Sequence, residues 1–182
     1  PAGDAETEAE FYLFNSVQFA QTSHSGFYFV DADEGIWNSG TSGDNPNLGY
    51  RPRTKEGYFP VPPTDRLQDI RSEMALKMIE SGIDVELHHH EVATAGQCEL
   101  AMLFGTLTQQ ADRPQWYKYF TRNLAKKHGK VATVMAKPNY RHNGTGLPTH
   151  HPPWTNAEPT VTHTHGDPRL PATPPPHHLV RP

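Results

Sequence analysis

Cysteine occurs once in these 182 residues, as Cys98, so no disulfide can form within the chain, which suits a reducing compartment. Long apolar runs are missing as well. Stretches such as FYFV at 27–30 fall far short of the roughly 20 residues that a membrane-spanning helix needs, so no membrane partner is expected. There is no excess of positive charge: the net charge is −4, which argues against nucleic acid or an anionic surface as a partner. No basic region followed by an apolar stretch opens the chain, so no signal peptide is visible and a cytoplasmic location is expected. The sequence starts without Met and strand character begins almost at once, which points to truncation.

Apolar residues make up 35%, less than the usual globular share, but the mean hides a split. Residues 8–137 have enough apolar content for a core, whereas ten of the 18 prolines lie between Pro148 and Pro182. AEFYLF (9–14), GFYFVD (26–31), IDVELHHHEV (83–92), CELAMLF (98–104) and KVATVMAKP (130–138) have strand character. The Gly- and Asn-rich residues 38–57 predict a long loop, and the prolines of YFPVPPTD (58–65) a stiff one. A helix is predicted from a Thr64–Asp65 cap through Leu67, Ile70, Met74 and Met78 to Gly82. A second begins at Asp112 with Pro114 in its first turn, carries Trp116, Phe120 and Leu124 as its apolar stripe, and stops at Gly129. The mixed order, with hairpin signals, predicts an α+β fold: a mainly antiparallel sheet with flanking helices.

Acidic residues carry the chemistry. Glu8 and Glu10 project from one face if 8–14 is a strand, and paired carboxylates repel unless a cation sits between them. An exposed acidic pair at a strand start is the simpler reading of these two alone. Glu91 and Glu99 lie symmetrically about Ala95 in the turn ATAGQ, so a hairpin centred there would pair them directly. Like charges across a hairpin destabilise it, and a bound magnesium or manganese ion would relieve that cost. An asymmetric hairpin with two solvated acids stays equally open. Adjacent strand residues alternate faces, so His88, His89 and His90 cannot all hold one ion; only His89 shares a face with Glu91, and the three are read as packed structure. The glycines of NGTG (143–146) allow a close backbone approach to an anion. The N-x-T sequon at Asn143 is read as coincidence, and Cys98 as a buried structural thiol.

At these residues the sequence resembles the bacterial type I glutamine synthetases. EAEFYLF (8–14), GYFPVPPTD (57–65), SEMALKM (72–78), HHHEVATAGQCE (88–99) and the KP…NGTG segment (137–146) match that family in register. The resemblance implies a partial catalytic domain over 1–146. It further implies an enzyme that makes glutamine from glutamate, ammonium and ATP through γ-glutamyl phosphate, with Mg2+ or Mn2+ ions, in a dodecamer. Glu10, Glu91 and Glu99 would hold the metal next to glutamate and ammonium, and Glu8 the metal next to ATP. Glu86 and Phe104 would contact nucleotide, Asn143 and Gly144 substrate glutamate, and Tyr58 ammonium.

The sequence departs from the family after that loop. NGTGLPTHHPPW (143–154) has Pro148 where the family has a metal-binding histidine and Pro152 where a serine meets ATP; His150 remains and would touch nucleotide. Residues 147–182 are therefore expected to be a divergent, disordered Pro/His-rich tail. The family's ammonium-side aspartate, its glutamate- and phosphate-clamping arginines and its mobile glutamate loop fall outside these residues, so the fragment is expected to be inactive alone. Two alternatives remain: a ligase of the same family that joins glutamate to a polyamine or other amine, and a non-catalytic metal-binding module built on the His-rich tail.

Overall fold

The computed structural model describes residues 4–44, 46–150, 154–155 and 158–159. Along the chain these form β1 (Asp4–Phe14), β2 (Ser16–Gln21), β3 (Gly26–Asp31), a 3-10 turn (Ile36–Asn38) and α1 (Gln68–Glu80). They continue as β4 (Val85–His90), β5 (Gln97–Thr106), α2 (Leu107–Lys127), β6 (Val131–Thr133), β7 (Thr149–His150), β8 (Trp154–Thr155) and β9 (Glu158–Pro159).

Strand alternation along β1 sets the architecture. Ala9, Phe11 and Leu13 turn to one face, where Ile70, Met74 and Met78 of α1 and Tyr117 and Ala125 of α2 cover them. Tyr12 and Phe14 turn to the other and join Ala32, Ala93 and Ala95 in a smaller cluster. The main sheet runs β4-β5-β1-β6, with β7 on the same edge of β1 as β6 but further back along it. All these pairings are antiparallel, as the α+β expectation requires. Phe11 meets Tyr117 edge to face with ring centroids 5.8 Å apart, and the Tyr117 hydroxyl donates to the Ala9 carbonyl at 2.9 Å. These contacts dock the helices on one side of the sheet; Glu10 and Glu99 lie on its other side, beside the smaller apolar cluster.

Several elements differ from expectation. A strand not anticipated, β2, pairs with β3 from Ser16 opposite Asp31 to Gln21 opposite Gly26. The second helix starts at Leu107, where Thr106 and Gln109 form a reciprocal capping box, so Pro114 lies inside it. Its buried stripe is Gln110, Tyr117, Thr121 and Ala125, one residue along from the expected one, and Trp116 is 54% exposed. The final strand is only Val131–Thr133, because the Met135 N–H turns back to the Thr133 hydroxyl. In the region expected to be a tail, the backbone keeps register with β1 through Thr149 and His150, and β8 pairs with β9. Residues 151–153, 156–157 and 160–182 lie outside the described residues.

The first helix is capped at Leu67, not at Asp65. Asp65 accepts the Leu67 N–H at 3.1 Å and pairs through both oxygens with Arg71, which is 1% exposed. Burial alone would raise the Asp65 carboxyl, but the Arg71 hydrogen bonds and charge outweigh it and hold the group below its ordinary value. Cys98 lies against Arg71 and is fully buried, which pushes its thiol up to about 12. Iodoacetamide should therefore modify Cys98 only once the chain is unfolded, a result readable by mass spectrometry. Breaking a buried ion pair leaves one charge uncompensated and costs about 3–5 kcal/mol, the loss expected for Arg71→Met in urea denaturation. Because the folded carboxyl is depressed, the pair's contribution is present above the unfolded pKa and is lost as pH falls through the folded one. The stabilities of wild type and Arg71→Met should therefore converge in acid.

Candidate metal centre

Three strands bring one row of side chains together. Glu10 of β1 stands directly opposite Glu99 of β5, and Glu99 stands directly opposite His89 of β4. Glu91 follows the end of β4 and reaches the same place. Ligand atoms of His89, Glu91 and Glu99 all lie within 4.8 Å of one another, and no more than 9% of any of these residues is exposed. His89 Nδ1 is 3.7 Å from Glu91 Oε1, and its Nε2 is 3.6 Å from Glu99 Oε1.

This is not the symmetric hairpin that Glu91 and Glu99 suggested. His89 opposes Glu99, and the Glu91 N–H donates to the Gln97 carbonyl at 2.9 Å, so the turn centres on Thr94 instead of Ala95. Gln97 fixes that register: its N–H donates to the Ala93 carbonyl at 3.2 Å and its side-chain oxygen accepts the Ala93 N–H at 3.0 Å. Gly96 closes the turn at φ +90°, and a Cβ there would lie 2.3 Å from the Leu13 carbonyl oxygen, so only glycine fits.

Electrostatics at the site is unfavourable without a cation. Burial pushes the Glu10 carboxyl above its ordinary value; the Gly146 N–H and the Gln97 amide pull it back, and the charges of Glu99 and Glu8 push it further up. Burial also raises Glu91, against a hydrogen bond from the Val92 N–H, with Glu10 and Glu99 adding repulsion. Burial works against a charged His89, but Glu99, the His90 carbonyl and Glu91 outweigh it and raise its pKa. A carbonyl only accepts, so His89 Nδ1 carries the proton directed at His90 O at 3.1 Å, and Nε2 is the atom that faces Glu99. The donor set is hard carboxylate oxygen with one imidazole nitrogen beside it, which fits Mg2+ or Mn2+.

Neighbouring loops hold this row from two sides. Glu10 Oε2 accepts from Gln97 Nε2 and from the Gly146 N–H, both at 2.8 Å. Gln97 Nε2 also donates to the Gly144 carbonyl at 3.1 Å, and the Tyr12 hydroxyl donates to the Asn143 carbonyl. Asn143 and Gly144 are thus brought to the acidic row, and a Cβ on Gly144 would lie 2.6 Å from the Ala136 oxygen. Tyr58 sits edge-on to His89 at 5.2 Å, and Phe59 stacks on the same ring at 4.4 Å. Phe59 adopts φ 57°, a conformation worth about 1–3 kcal/mol of strain, which its N–H bond to the His90 carbonyl helps hold. Glu8 flanks the row, its N–H donating to the Pro148 carbonyl at 3.2 Å. Glu86, in the β4 bulge, and Phe104 lie at the far end of the β4–β5 pair, both exposed. His150 is placed by its backbone in β7, and its side chain lies outside the described residues.

Gln97 was not among the residues singled out from sequence. Its signal was strand period: it stands two residues before Glu99, on the same face. Fully buried and bonded to Glu10, Gly144 and Ala93, it joins the strands to both loops. Gln97→Leu leaves the buried Ala93 N–H unpartnered and should cost about 1–3 kcal/mol in urea denaturation.

Comparison with known proteins follows the same lines. The family model described as "Glutamine synthetase, catalytic domain" matches residues 4–173. The chain is 54% identical over 154 residues to a glutamine synthetase of Nostoc sp. strain PCC 7120, covering 84% of this chain and 32% of that protein. It is 50% identical over 143 residues to the glutamine synthetase of Escherichia coli K12, covering 79% of this chain and 30% of that one. A Plasmodium falciparum glutamine synthetase solved by cryo-EM superposes with a TM-score of 0.77 at 24% identity, over 89% of this chain and 32% of that one, which shows the shared fold. The chain thus spans about a third of the length of the relatives it matches. On its sequence, its sheet and the extent of these matches, the chain belongs to the glutamine synthetase catalytic-domain family.

Proposed function

We propose that this chain carries the metal-holding part of a ligase that joins ammonium to glutamate, using ATP and passing through γ-glutamyl phosphate. The observation that carries this reading is the convergence of Glu10, Glu91 and Glu99, beside His89, in a largely buried row whose mutual repulsion a divalent cation would relieve. The relatives bear the name glutamine synthetase, which supplies the substrate class. In the longer protein the assembly would be a dodecamer, and the location cytoplasmic. Among the described residues no helix is long and apolar enough to cross a membrane.

Glu10, Glu91 and Glu99 would hold one Mg2+ or Mn2+ ion. Bound there, the ion would neutralise the charge that builds up when two anions, glutamate and a transferring phosphoryl group, are held together. The protein's own part is positional. Gln97 and the Gly146 N–H fix the Glu10 carboxylate, and Asn143 and Gly144 present backbone where substrate glutamate would lie. Tyr58 and Phe59 wall off His89 on the side where ammonium would enter. Glu86, Phe104 and His150 would meet nucleotide. Glu8 would serve a second ion, and the backbone brings position 148 beside it. Proline there offers no ligating side chain, so the second position is expected to be weak.

The test is a Mn2+ titration of the 182-residue chain, followed by the loss of the free-ion EPR signal. Glu91→Gln and Glu99→Gln should each weaken binding by more than about tenfold, since each removes a charged oxygen donor. Ligation requires deprotonated carboxylates, and those of Glu10 and Glu91 are raised, so affinity should fall as pH drops toward the carboxylate range. Removal of residues 147–182 should leave binding in place; its loss on that deletion, with both glutamine variants unaffected, would move the metal site to the His-rich segment.

A further inference from the structure

Glu91 is held less directly than its two companions. Glu10 and Glu99 sit within strands, but Glu91 lies just past the end of β4, where the ladder stops. Its N–H donates to the Gln97 carbonyl. Its carbonyl oxygen lies 2.7 Å from Nδ1 of His90, which is fully buried. A carbonyl only accepts, so Nδ1 carries the proton. The other ring nitrogen, Nε2, lies 2.7 Å from Oε2 of Glu34, a residue 4% exposed that comes from the segment between β3 and the 3-10 turn. The imidazole is therefore gripped at both ends, by the main chain of Glu91 on one side and by a carboxylate on the other.

Two further observations separate this contact from ordinary packing. Glu34 Oε1 is buried with no hydrogen-bond partner among the described residues. Half-satisfying a buried carboxylate is a poor way to stabilise a fold, and such a group calls for an explanation. There is also no slack around the contact. A Cβ at Gly57 would lie 2.6 Å from the Glu91 oxygen and 2.9 Å from the His90 ring, while the Gly57 and Phe59 N–H groups bond to the Val92 and His90 carbonyls. With the strand end enclosed in this way, the ring angle that Glu34 sets is passed to the Glu91 backbone.

We propose that Glu34 is a positioning residue for the cation site, acting through His90 to fix the main chain, and so the carboxylate, of Glu91. This rests on the metal reading above. Remote partners that orient a ligand typically matter about 10–100-fold in metal affinity. The test is Mn2+ binding to the full 182-residue chain, read both as affinity and as the EPR line shape of the bound ion. Glu34→Ala should weaken binding by about 10–100-fold and alter the line shape. Glu34→Asp keeps the charge but loses reach and should do the same, which covers the case in which the alanine variant fails to fold. Glu34→Gln should stay close to wild type, because its amide can donate to a neutral Nε2 while Nδ1 still holds the Glu91 carbonyl. Met78→Ala, a core change remote from this contact, should lower stability and leave affinity unchanged.

If the folded alanine and aspartate variants bind Mn2+ like wild type, with the same line shape and only a lower melting temperature, Glu34 is merely structural and the inference falls while the metal reading stands. If wild type itself binds no Mn2+, the metal reading falls and takes this inference with it.

Discussion

Like charges do not gather in a partly buried space without something to hold them, and the arrangement around the acidic row is organised by that requirement. Glu10, Glu91 and Glu99 are pressed together by pairing in a sheet whose far face is locked under two helices. The sheet cannot relax by slipping, because a one-residue shift of β1 would turn Phe11 and Leu13 onto the acidic face and Glu10 into the core under the helices. The stability gained on the apolar face of each strand therefore maintains the unfavourable contacts on the other.

What relieves those contacts is graded. Two of the acids have neutral donors of their own: Gln97 and the Gly146 N–H for Glu10, the Val92 N–H for Glu91. His89 adds a ring that the surrounding carboxylates bias toward charge. These partners lower the cost without cancelling it, which leaves a place for a stronger cation. In a chain that spans about a third of its relatives' length, this row is built from three neighbouring strands and the loops against them.

Much of this was legible in the sequence, to a depth set by what each signal measures. Residue type identified β1 and β3, whose aromatic side chains favour a pleated strand, and gave β4 and β5 their strand character. The strand β2 escaped because SVQFAQ carries a single aromatic residue, whereas its partner GFYFVD carries three. The start of α2 was misplaced because Asp112 and Pro114 imitate a helix beginning, while the true cap lies in Thr106 and Gln109 at the end of a strand. For the site, residue type and period put Glu8 beside Glu10 and Glu91 near Glu99. The register of the hairpin was out of reach, because Gln97 sets it through its side chain, and turn symmetry is silent on side chains. The roles of Asp65 and Glu34 were hidden for a similar reason: each depends on a partner that only the fold brings near, Arg71 and His90.

The edge of β1 that β6 and β7 share also has a bearing on chain length. Between those two strands, Gly146 and Pro148 take the Glu10 and Glu8 N–H groups, so the segment leaving Thr133 must arrive beside the acids in one particular phase. It folds back on itself on the way, with Thr145 bonded to Met135 and Ala136 and Gly144 pressed on the Ala136 carbonyl. Twelve residues, 134–145, thus act as a ruler read from both ends. Adding one residue to the ruler would exchange donor for acceptor along the rim of the acidic row.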